Sequence, residues 1–453
     1  MSKKSIKSQP WLIFLGVVLA ALILRWWQYE LFPIGGETAD ESAWALLGSS
    51  LIQEGVPASW SYFGVYENYH YQEGIFNAPV VRPALDHPPL FSLLPGAAHS
   101  LKNYWLSHPS IKLIRAPMVL LGAVNAGLFW LVVKQIFAEK KWQFLATALF
   151  VTIPTLVFSS RLVAAENLLI TFVLIALWLV NQRSQTWTNK ALIAVSALAV
   201  LTKISGLIIP GSLIVYGLLV GRKPLVRSAI IGGLVGFGSF VLYGAYYNWE
   251  LFTKVFLAQS SRELGLVTLQ NRLFFNPTVV RHVIFDGWKT LGLFSVFVWL
   301  SQANKDKKLL FVHLFTVLGL AFIAITAGED TIHGWYDYLL WPTLVIGMTT
   351  VLRKAYLAND GIIFGLSWLM VLPVGRLALI FLDQYAALSN TTVRLLVGLG
   401  FVPLILQAFR QKRAIQLTMA ALIILLLVVN VVAVLSITQA AYWEQAAVFK
   451  SVF

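Results

Sequence analysis

Long apolar runs joined by short polar connections make up most of this chain. A helix needs roughly 20 apolar residues to cross the hydrocarbon of a bilayer, and about thirteen runs meet that requirement. They begin near residues 11, 111, 142, 163, 191, 206, 228, 287, 309, 338, 361, 393 and 414. The pair at 191–220 is short and is interrupted by Lys203. The pattern predicts an all-α polytopic membrane protein. We expect residues 1–453 to form one integral membrane domain, with no separate soluble C-terminal domain.

Residues 30–110 break this pattern with a long connection between the first two runs. Directly after Asp40 and Glu41, apolar residues repeat at helical spacing from Ala43 to Leu51. This spacing predicts a short amphipathic helix that lies on the membrane surface, with Asp40 near its N-cap. An N-cap carboxylate is worth about 1 kcal/mol, so helix capping alone is a sufficient reason for Asp40.

The end of the same connection carries Asp86 and His87 in front of two prolines and an apolar run. Paired prolines fix an extended turn and are common helix starters. We therefore expect a second surface helix over 90–94, ended by Pro95-Gly96. The aromatic middle of the connection suits either stacking on sugar rings or anchoring at the membrane interface.

Composition and charge agree with a membrane protein and indicate its orientation. Hydrophobic residues make up 58% of the chain and charged residues 12%, with a net charge of +14. The basic residues concentrate in alternate connections, namely Lys3, Lys4, Lys7, Lys134, Lys140, Lys141, Arg183, Lys190, Arg222, Lys223, Arg227, Lys305, Lys307, Lys308, Arg353, Lys354, Arg410, Lys412 and Arg413. Only Glu139, Asp306 and Asp360 share that side. By the positive-inside rule, the N-terminus is cytoplasmic and residues 30–110 are extracytoplasmic at the plasma (inner) membrane. The charge is therefore a topology signal, and we expect no nucleic-acid partner.

Ionisable residues held against a membrane are costly, which makes them functional candidates. Arg161 and Glu166 flank a tight turn, Lys203 lies between two runs, and His333 and Asp337 precede a late run. Interfacial snorkelling is the alternative explanation for such residues. For Asp40 the functional alternative to capping is general-base chemistry, in which a carboxylate takes the proton from an attacking hydroxyl.

An ordered set of short motifs resembles glycosyltransferase family 39 of the GT-C superfamily, which includes the protein O-mannosyltransferases and the lipid A aminoarabinose transferases. The motifs are Asp40-Glu41-Ser-Ala-Trp-Ala-Leu-Leu-Gly, His87-Pro-Pro-Leu, Arg115, Ser160-Arg161-Leu-Val-Ala-Ala-Glu166, Leu201-Thr-Lys203-Ile-Ser-Gly206-Leu and Trp335-Tyr336-Asp337-Tyr-Leu-Leu-Trp-Pro342. His87 stands where some relatives carry lysine, and Glu166 where many carry aspartate. The resemblance covers roughly the first 220 residues well, and the rest mainly through topology.

The resemblance implies an inverting membrane transferase that takes a sugar from a polyprenyl-phosphate donor to a hydroxyl-bearing glycan, lipid or protein. Asp40 matches the catalytic acidic position, and Glu41 is its partner in the motif. The leaving phosphate needs nearby cations. Our candidates are, in order of preference, Lys203, Arg161, His87 and His333. Asp86, Glu166, Tyr336 and Asp337 are further site candidates.

No cofactor is required by this chemistry, because arginine and lysine alone can stabilise a monophosphate leaving group. Asp40 and Asp86 could still hold a divalent metal, although we do not predict one. Two other classes stay open at this point. A transporter or lipid-linked-sugar flippase would carry no transferase chemistry, and a scaffold of an envelope-assembly complex would need no catalytic carboxylate.

Overall fold

The computed structural model describes residues 10–33, 38, 40–72, 79–182, 186–261, 286–301, 307–326, 334–383 and 390–436. Within these residues the chain forms seventeen α-helices. In chain order they are α1 Pro10–Trp26, α2 Asp40–Glu54, α3 Leu93–Ser100, α4 Ile111–Ile136, α5 Lys140–Thr152, α6 Pro154–Ser159, α7 Glu166–Val180, α8 Thr186–Thr202, α9 Ile208–Leu219, α10 Lys223–Ser260, α11 Trp288–Leu300, α12 Lys307–Thr326, α13 Trp341–Ala358, α14 Gly361–Asp383, α15 Asn390–Leu399, α16 Val402–Ala408 and α17 Lys412–Ser436.

Four of the described helices are long and apolar enough to cross a membrane by length and composition: Ile111–Ile136, Lys223–Ser260, Lys308–Thr326 and Lys412–Ser436. Six shorter apolar helices of 10–17 residues accompany them. This helical architecture is that of a multi-pass membrane protein. The count of about thirteen spans stays a prediction.

The connection at 30–110 contains a small sheet that the all-α prediction missed. Strands β1 Ser59–Trp60, β2 His70–Gln72 and β3 Val80–Val81 pair antiparallel in the order β1-β3-β2. Strands of two or three residues are too short to produce a detectable alternation of apolar and polar positions. A 3-10 helix, Gly64–Tyr69, joins the first two strands.

The two helices of this connection pack against each other, and their position on the membrane surface stays a prediction. Helix α2 begins at Asp40 as predicted, but Glu41 and all of 44–50 are buried, which covers more than one helical face. Helix α3 begins at Leu93 and contains Pro95-Gly96 instead of ending there. The two helices touch through glycine. A Cβ atom added at Gly48 would lie 1.8 Å from the carbonyl oxygen of Ser92.

Two interruptions of helix position residues near the same place. Lys203 has extended backbone angles, φ −163° and ψ 149°, and separates α8 from the 3-10 helix Ile204–Leu207. Helix α10 is kinked at Asn248, whose φ is −169° and ψ 99°. The Asn248 side chain accepts a hydrogen bond from the backbone N–H of Leu251 at 3.0 Å and so caps the second segment of the helix.

Candidate active site

A cavity of about 780 Å³ lies between several segments of the chain. Among them are the start of α2, the 59–63 strand and turn, the Asp86-His87 turn, the 162–166 turn, the break before α9 and the second segment of α10. Six of the ten candidate residues line it: Asp40, Asp86, His87, Glu166, Lys203 and Tyr336. The fold therefore brings together residues that are up to 296 positions apart, and it mixes carboxylates, a cation and aromatic rings in one wall.

Lys203 and Glu166 form the ion pair of the cavity wall. Nζ of Lys203 lies 2.6 Å from Oε1 of Glu166, and the two side chains are 14% and 1% exposed. The ammonium also lies 4.9 Å from the centre of the Tyr336 ring, a cation–π distance. The Asp40 carboxylate is near enough to act on it electrostatically. Lys203 is thus a cation held firmly at the edge of an open space.

The turn that carries Lys203 depends on Gly206. The backbone N–H of Gly206 donates to the carbonyl of Lys203 at 2.8 Å. A Cβ atom at Gly206 would lie 2.1 Å from the carbonyl oxygen of Ala199, so only glycine fits this close approach. The lysine-glycine pattern of the sequence therefore has a physical basis, because the glycine allows the chain to fold back at the lysine.

Asp40 is the first residue of α2 and is half-buried at the cavity wall. Its backbone N–H donates to Oγ1 of Thr38 at 3.3 Å, and Thr38 also lines the cavity. A carboxylate at this end of a helix interacts favourably with the helix dipole. Asp40 thus combines a position at the start of α2 with a position in the cavity wall.

Glu41 points to a different set of contacts, because it forms a buried pair with Arg115 of α4. Nε of Arg115 lies 2.7 Å from Oε1, and Nη2 lies 2.6 Å from Oε2. Oε1 also accepts the backbone N–H of Val163 at 3.0 Å. Nη1 of Arg115 donates to the carbonyl of Tyr29 at 3.1 Å. Both charged residues are 0% exposed, so this bidentate pair holds α2 against α4 and the 162–166 turn rather than lining the cavity.

Arg161 likewise has a buried position and contacts backbone carbonyls. Its Nη2, Nε and Nη1 atoms donate to the carbonyls of Leu24, Arg25 and Phe32 at 2.8, 3.1 and 3.1 Å. The residue is 0% exposed and does not line the cavity. The donors of its planar fork are directed at carbonyls in the last turn of α1 and at Phe32, and a contact between Arg161 and the donor phosphate stays a prediction.

The remaining candidates occupy three different environments. Asp337 is buried in an ion pair with Lys289 of α11 and lies outside the cavity. His333 falls outside the described residues. His87 lines the cavity and stacks on Trp44 of α2, with ring centres 4.8 Å apart and planes at 21°.

Asp86 belongs to a hydrogen-bonded group at the cavity wall. The Tyr66 hydroxyl donates to Oδ1, and the Ser61 hydroxyl donates to Oδ2 at 3.3 Å. The backbone N–H of Leu85 donates to the Tyr66 oxygen at 2.8 Å. Burial, together with the Asp86 charge, raises the pKa of Tyr66, so the phenol keeps its proton and remains a donor. In the described residues no three His, Asp or Glu side chains are grouped in a way that could hold a metal ion.

Sequence reasoning missed several residues that shape the site. Arg115 was noted only as a landmark, although a cation at the start of an apolar run is itself a signal for a buried partner. Gln259 and Ser260 reach the cavity from the second segment of α10. The capping asparagine, Asn248, is the local signal for that segment. Lys289 gave no signal, because nothing in the pattern around it points to Asp337.

Comparison with known proteins found a family model that matches part of the sequence and solved structures with a similar fold. Residues 86–247 match the family model described as dolichyl-phosphate-mannose-protein mannosyltransferase. Two solved structures of ArnT from Cupriavidus metallidurans resemble the whole fold. The form bound to undecaprenyl phosphate is 14% identical, covers 95% of this chain and 77% of its own, and has a TM-score of 0.58. The apo form is 15% identical, covers 94% and 76%, and has a TM-score of 0.57. No curated protein matched the sequence.

The chain therefore shares the fold of these two ArnT structures. The resemblance to the family 39 group that the motifs predicted is confirmed, with a family match that begins at Asp86 and ends at Tyr247.

Proposed function

We propose that this protein transfers a sugar from a polyprenyl-phosphate donor to a hydroxyl-bearing acceptor. The observation that carries the proposal is the single cavity lined by Asp40 and by the Lys203–Glu166 pair. It combines a carboxylate with a fixed cation, as a base and a phosphate site require. The ArnT structure of the same fold, bound to undecaprenyl phosphate, supports the class of donor.

The reaction is a single displacement. Asp40 takes the proton of the acceptor hydroxyl, and the acceptor oxygen attacks the anomeric carbon of the donor sugar. The bond from that carbon to the phosphate oxygen breaks, and its electron pair leaves with the polyprenyl phosphate. Attack opposite the leaving group inverts the anomeric configuration, and Asp40 is left protonated.

Lys203 stabilises the charge that develops on the leaving phosphate. Glu166 accepts a hydrogen bond from the ammonium and so fixes its position before the reaction, which lowers the cost of reorganisation. His87 stacks on Trp44 in the same wall and is our next candidate for a contact with the phosphate. The distribution of basic residues supports a cytoplasmic N-terminus and a cavity that opens on the extracytoplasmic face of the plasma (inner) membrane.

The test is turnover of a labelled undecaprenyl-phosphate sugar in proteoliposomes supplied with cell-envelope acceptors from the source organism. We expect free undecaprenyl phosphate and labelled acceptor to form in equal amounts. Asp40→Asn should lower that rate by about 10²- to 10⁴-fold, the usual contribution of a general base. The product should have the opposite anomeric configuration to the donor, which NMR of the transferred sugar measures.

The matched control is Glu30→Gln, since Glu30 forms an exposed pair with Lys112 at 3.0 Å and does not line the cavity. It should keep the wild-type rate. Transfer by Asp40→Asn at the wild-type rate would refute the role of Asp40. Movement of the intact donor across the bilayer, with no free undecaprenyl phosphate, would instead identify a flippase.

A further inference from the structure

Five aromatic residues, Trp60, Tyr62, Tyr71, Tyr104 and Trp105, form what we call the aromatic strip. Trp60 and Tyr62 line the cavity, with ring centres 5.1 Å apart. Tyr71 and Tyr104 are far apart in the sequence. Their ring centres nevertheless lie 5.8 and 5.9 Å from that of Trp105. The strip thus has one part in the cavity wall and another part around Trp105.

The two parts are joined by packing. Trp60 packs against the buried cluster of Leu46, Ala58, Val80 and Trp105. Trp105 is 0% exposed and supports the rings above it, whereas Tyr62, Tyr71 and Tyr104 are 67%, 49% and 57% exposed. The strip therefore extends from the cavity wall to the surface, where the rings of Tyr62, Tyr71 and Tyr104 are exposed.

An ion pair lies among these rings. Glu54 accepts hydrogen bonds from the Tyr104 hydroxyl at 2.7 Å and from the Trp105 indole N–H at 2.6 Å. Arg82 lies 2.7 Å from the second oxygen of Glu54 and 5.2 Å above the Tyr71 ring. A charged pair in contact with hydrocarbon is costly. This favours water over lipid tails as the surroundings of the strip.

The occupant must match both ring faces and charged hydrogen-bonding groups. A pyranose ring has an apolar C–H face and a rim of hydroxyl groups that donate and accept. Aromatic faces suit the first, and the Glu54 carboxylate and Arg82 guanidinium suit the second. An extended acyl chain would remove water from the charged pair and offer it no hydrogen-bonding group in return.

We propose that the aromatic strip binds the glycan chain of the acceptor and leads its terminal hydroxyl into the cavity beside Asp40. This inference rests on the proposed transferase function and assigns its acceptor to the glycan class, rather than to proteins or lipids.

The experiment uses cell-envelope polysaccharide of the source organism, freed of protein by protease and of lipid by solvent extraction. Binding to the purified full-length protein is measured without donor, and transfer is measured with labelled undecaprenyl-phosphate sugar. The double variant Tyr71→Ala/Tyr104→Ala should raise both the Kd and the KM for polysaccharide about tenfold, as expected when interface tyrosines are truncated. The KM for the donor and kcat should not change.

Tyr246→Ala is the matched control, because Tyr246 is 81% exposed on α10 and belongs to neither the strip nor the cavity wall. It should bind polysaccharide as the wild type does. Tyr104→Phe, which keeps the ring, should bind more tightly than Tyr104→Ala. This comparison keeps the test valid if the double variant folds poorly.

Three outcomes would overturn the inference. In the proteoliposome assay with unfractionated cell-envelope acceptors, label could enter protease-sensitive protein or solvent-extractable lipid in place of polysaccharide. The double variant could bind polysaccharide with wild-type affinity, or it could alter the KM for the donor alone. Failure of the proposed function is a separate result: wild-type protein would then release no free undecaprenyl phosphate, whatever its affinity for polysaccharide.

Discussion

Two charged regions meet at the start of α2, and neighbouring residues divide between them. Asp40 belongs to the cavity wall with Lys203 and Glu166, whereas Glu41 belongs to a buried pair with Arg115. The buried pair is 0% exposed, and Arg115 uses Nε, Nη1 and Nη2 in hydrogen bonds. Lys203 is instead 14% exposed at an open space. Charge type alone does not separate a structural pair from a reactive one; the access of a ligand to the charged atoms does.

Removing one partner of the buried pair should have the largest effect on stability. Arg115→Met leaves the Glu41 carboxylate buried beside the backbone N–H of Val163 as its remaining described donor. Loss of one partner of a buried ion pair typically costs about 3–5 kcal/mol. We expect a much lower thermal unfolding midpoint in detergent and poor recovery of folded protein.

The control for Arg115→Met is Lys112→Met, one turn earlier on the same helix. Lys112 pairs with Glu30 at 3.0 Å, but these side chains are 66% and 41% exposed. Solvent screening leaves such surface pairs with little effect on stability. Equal midpoints for the two variants would mean that the buried pair does not stabilise α2, and the contrast between the two regions would then be wrong.

In the cavity wall the same kind of change should affect turnover more than folding. Lys203→Gln removes the cation that we assign to the leaving phosphate. Loss of one fixed electrostatic donor costs about 10²- to 10³-fold in kcat at well-studied sites. Since Lys203 is partly exposed, we expect about 10²-fold, measured as release of undecaprenyl phosphate.

Lys190→Gln is the control for this change, because Lys190 is exposed near the start of α8, the helix that ends just before Lys203, and lies outside the cavity lining. It should leave turnover unchanged. A Lys203→Gln protein that unfolds at a much lower temperature, yet retains its kcat when folded, would assign the Lys203–Glu166 pair to the structural region.

The sequence predicted which charged residues lie close together more reliably than it predicted what they contact. Helix α2 begins at Asp40 as expected, and Asp40, Asp86, His87 and Lys203 do line one cavity. These residues come from short motifs whose order along the chain limits where they can meet. The hydrogen bonds of Arg161 could not be predicted, because a sequence does not show which side chains reach the unpaired backbone carbonyls at the end of a helix.

The close contact of α2 with α3 was also beyond the sequence, for a related physical reason. A stripe of apolar residues indicates one buried face, but contact between two helices through glycine buries additional faces without any apolar side chain. Gly48 and Gly96 gave no hydrophobic signal, although each lies against the backbone of the other helix. Sequence periodicity records side chains, and this interface is largely backbone.

That glycine contact can be tested, and its expected effect is smaller than those above. Gly48→Ala places a Cβ atom 1.8 Å from the carbonyl oxygen of Ser92, so the two helices must separate. Overpacking of this kind costs about 1–3 kcal/mol. We expect a lower unfolding midpoint and, because α2 carries Asp40, a lower rate of transfer.

Gly211→Ala is the matched control, because no atom lies within 4 Å of an added Cβ there. Alanine is also the better helix former, so that variant should be as stable as the wild type or more so. If Gly48→Ala is equally stable, α2 and α3 do not pack through their glycines.

The pair of Glu54 and Arg82 is more exposed than the Glu41–Arg115 and Lys203–Glu166 pairs and should show the smallest effect. Hydrogen bonds from Tyr104 and then Trp105, with Arg82 close by, hold the pKa of Glu54 below its usual value of 4.5. A lowered carboxyl pKa stabilises the fold above the unfolded-state pKa, and that contribution is lost as the pH falls through the folded-state pKa. Because the Glu54 side chain is 24% exposed, solvent screening reduces the gain to that of a surface pair.

Thermal unfolding of wild type and Glu54→Gln between pH 3 and pH 7 measures this contribution. The variant should be less stable at pH 7, and the difference should diminish below about pH 4.5 as Glu54 of the wild type becomes protonated. Tyr104→Phe should reduce the pH-dependent part, because it removes the largest contribution to the lowered pKa while it keeps the ring. A constant difference across this range would show that the Glu54 charge adds nothing. The exposed pair would then contribute packing alone, whereas the buried pair of Glu41 and Arg115 depends on its charges.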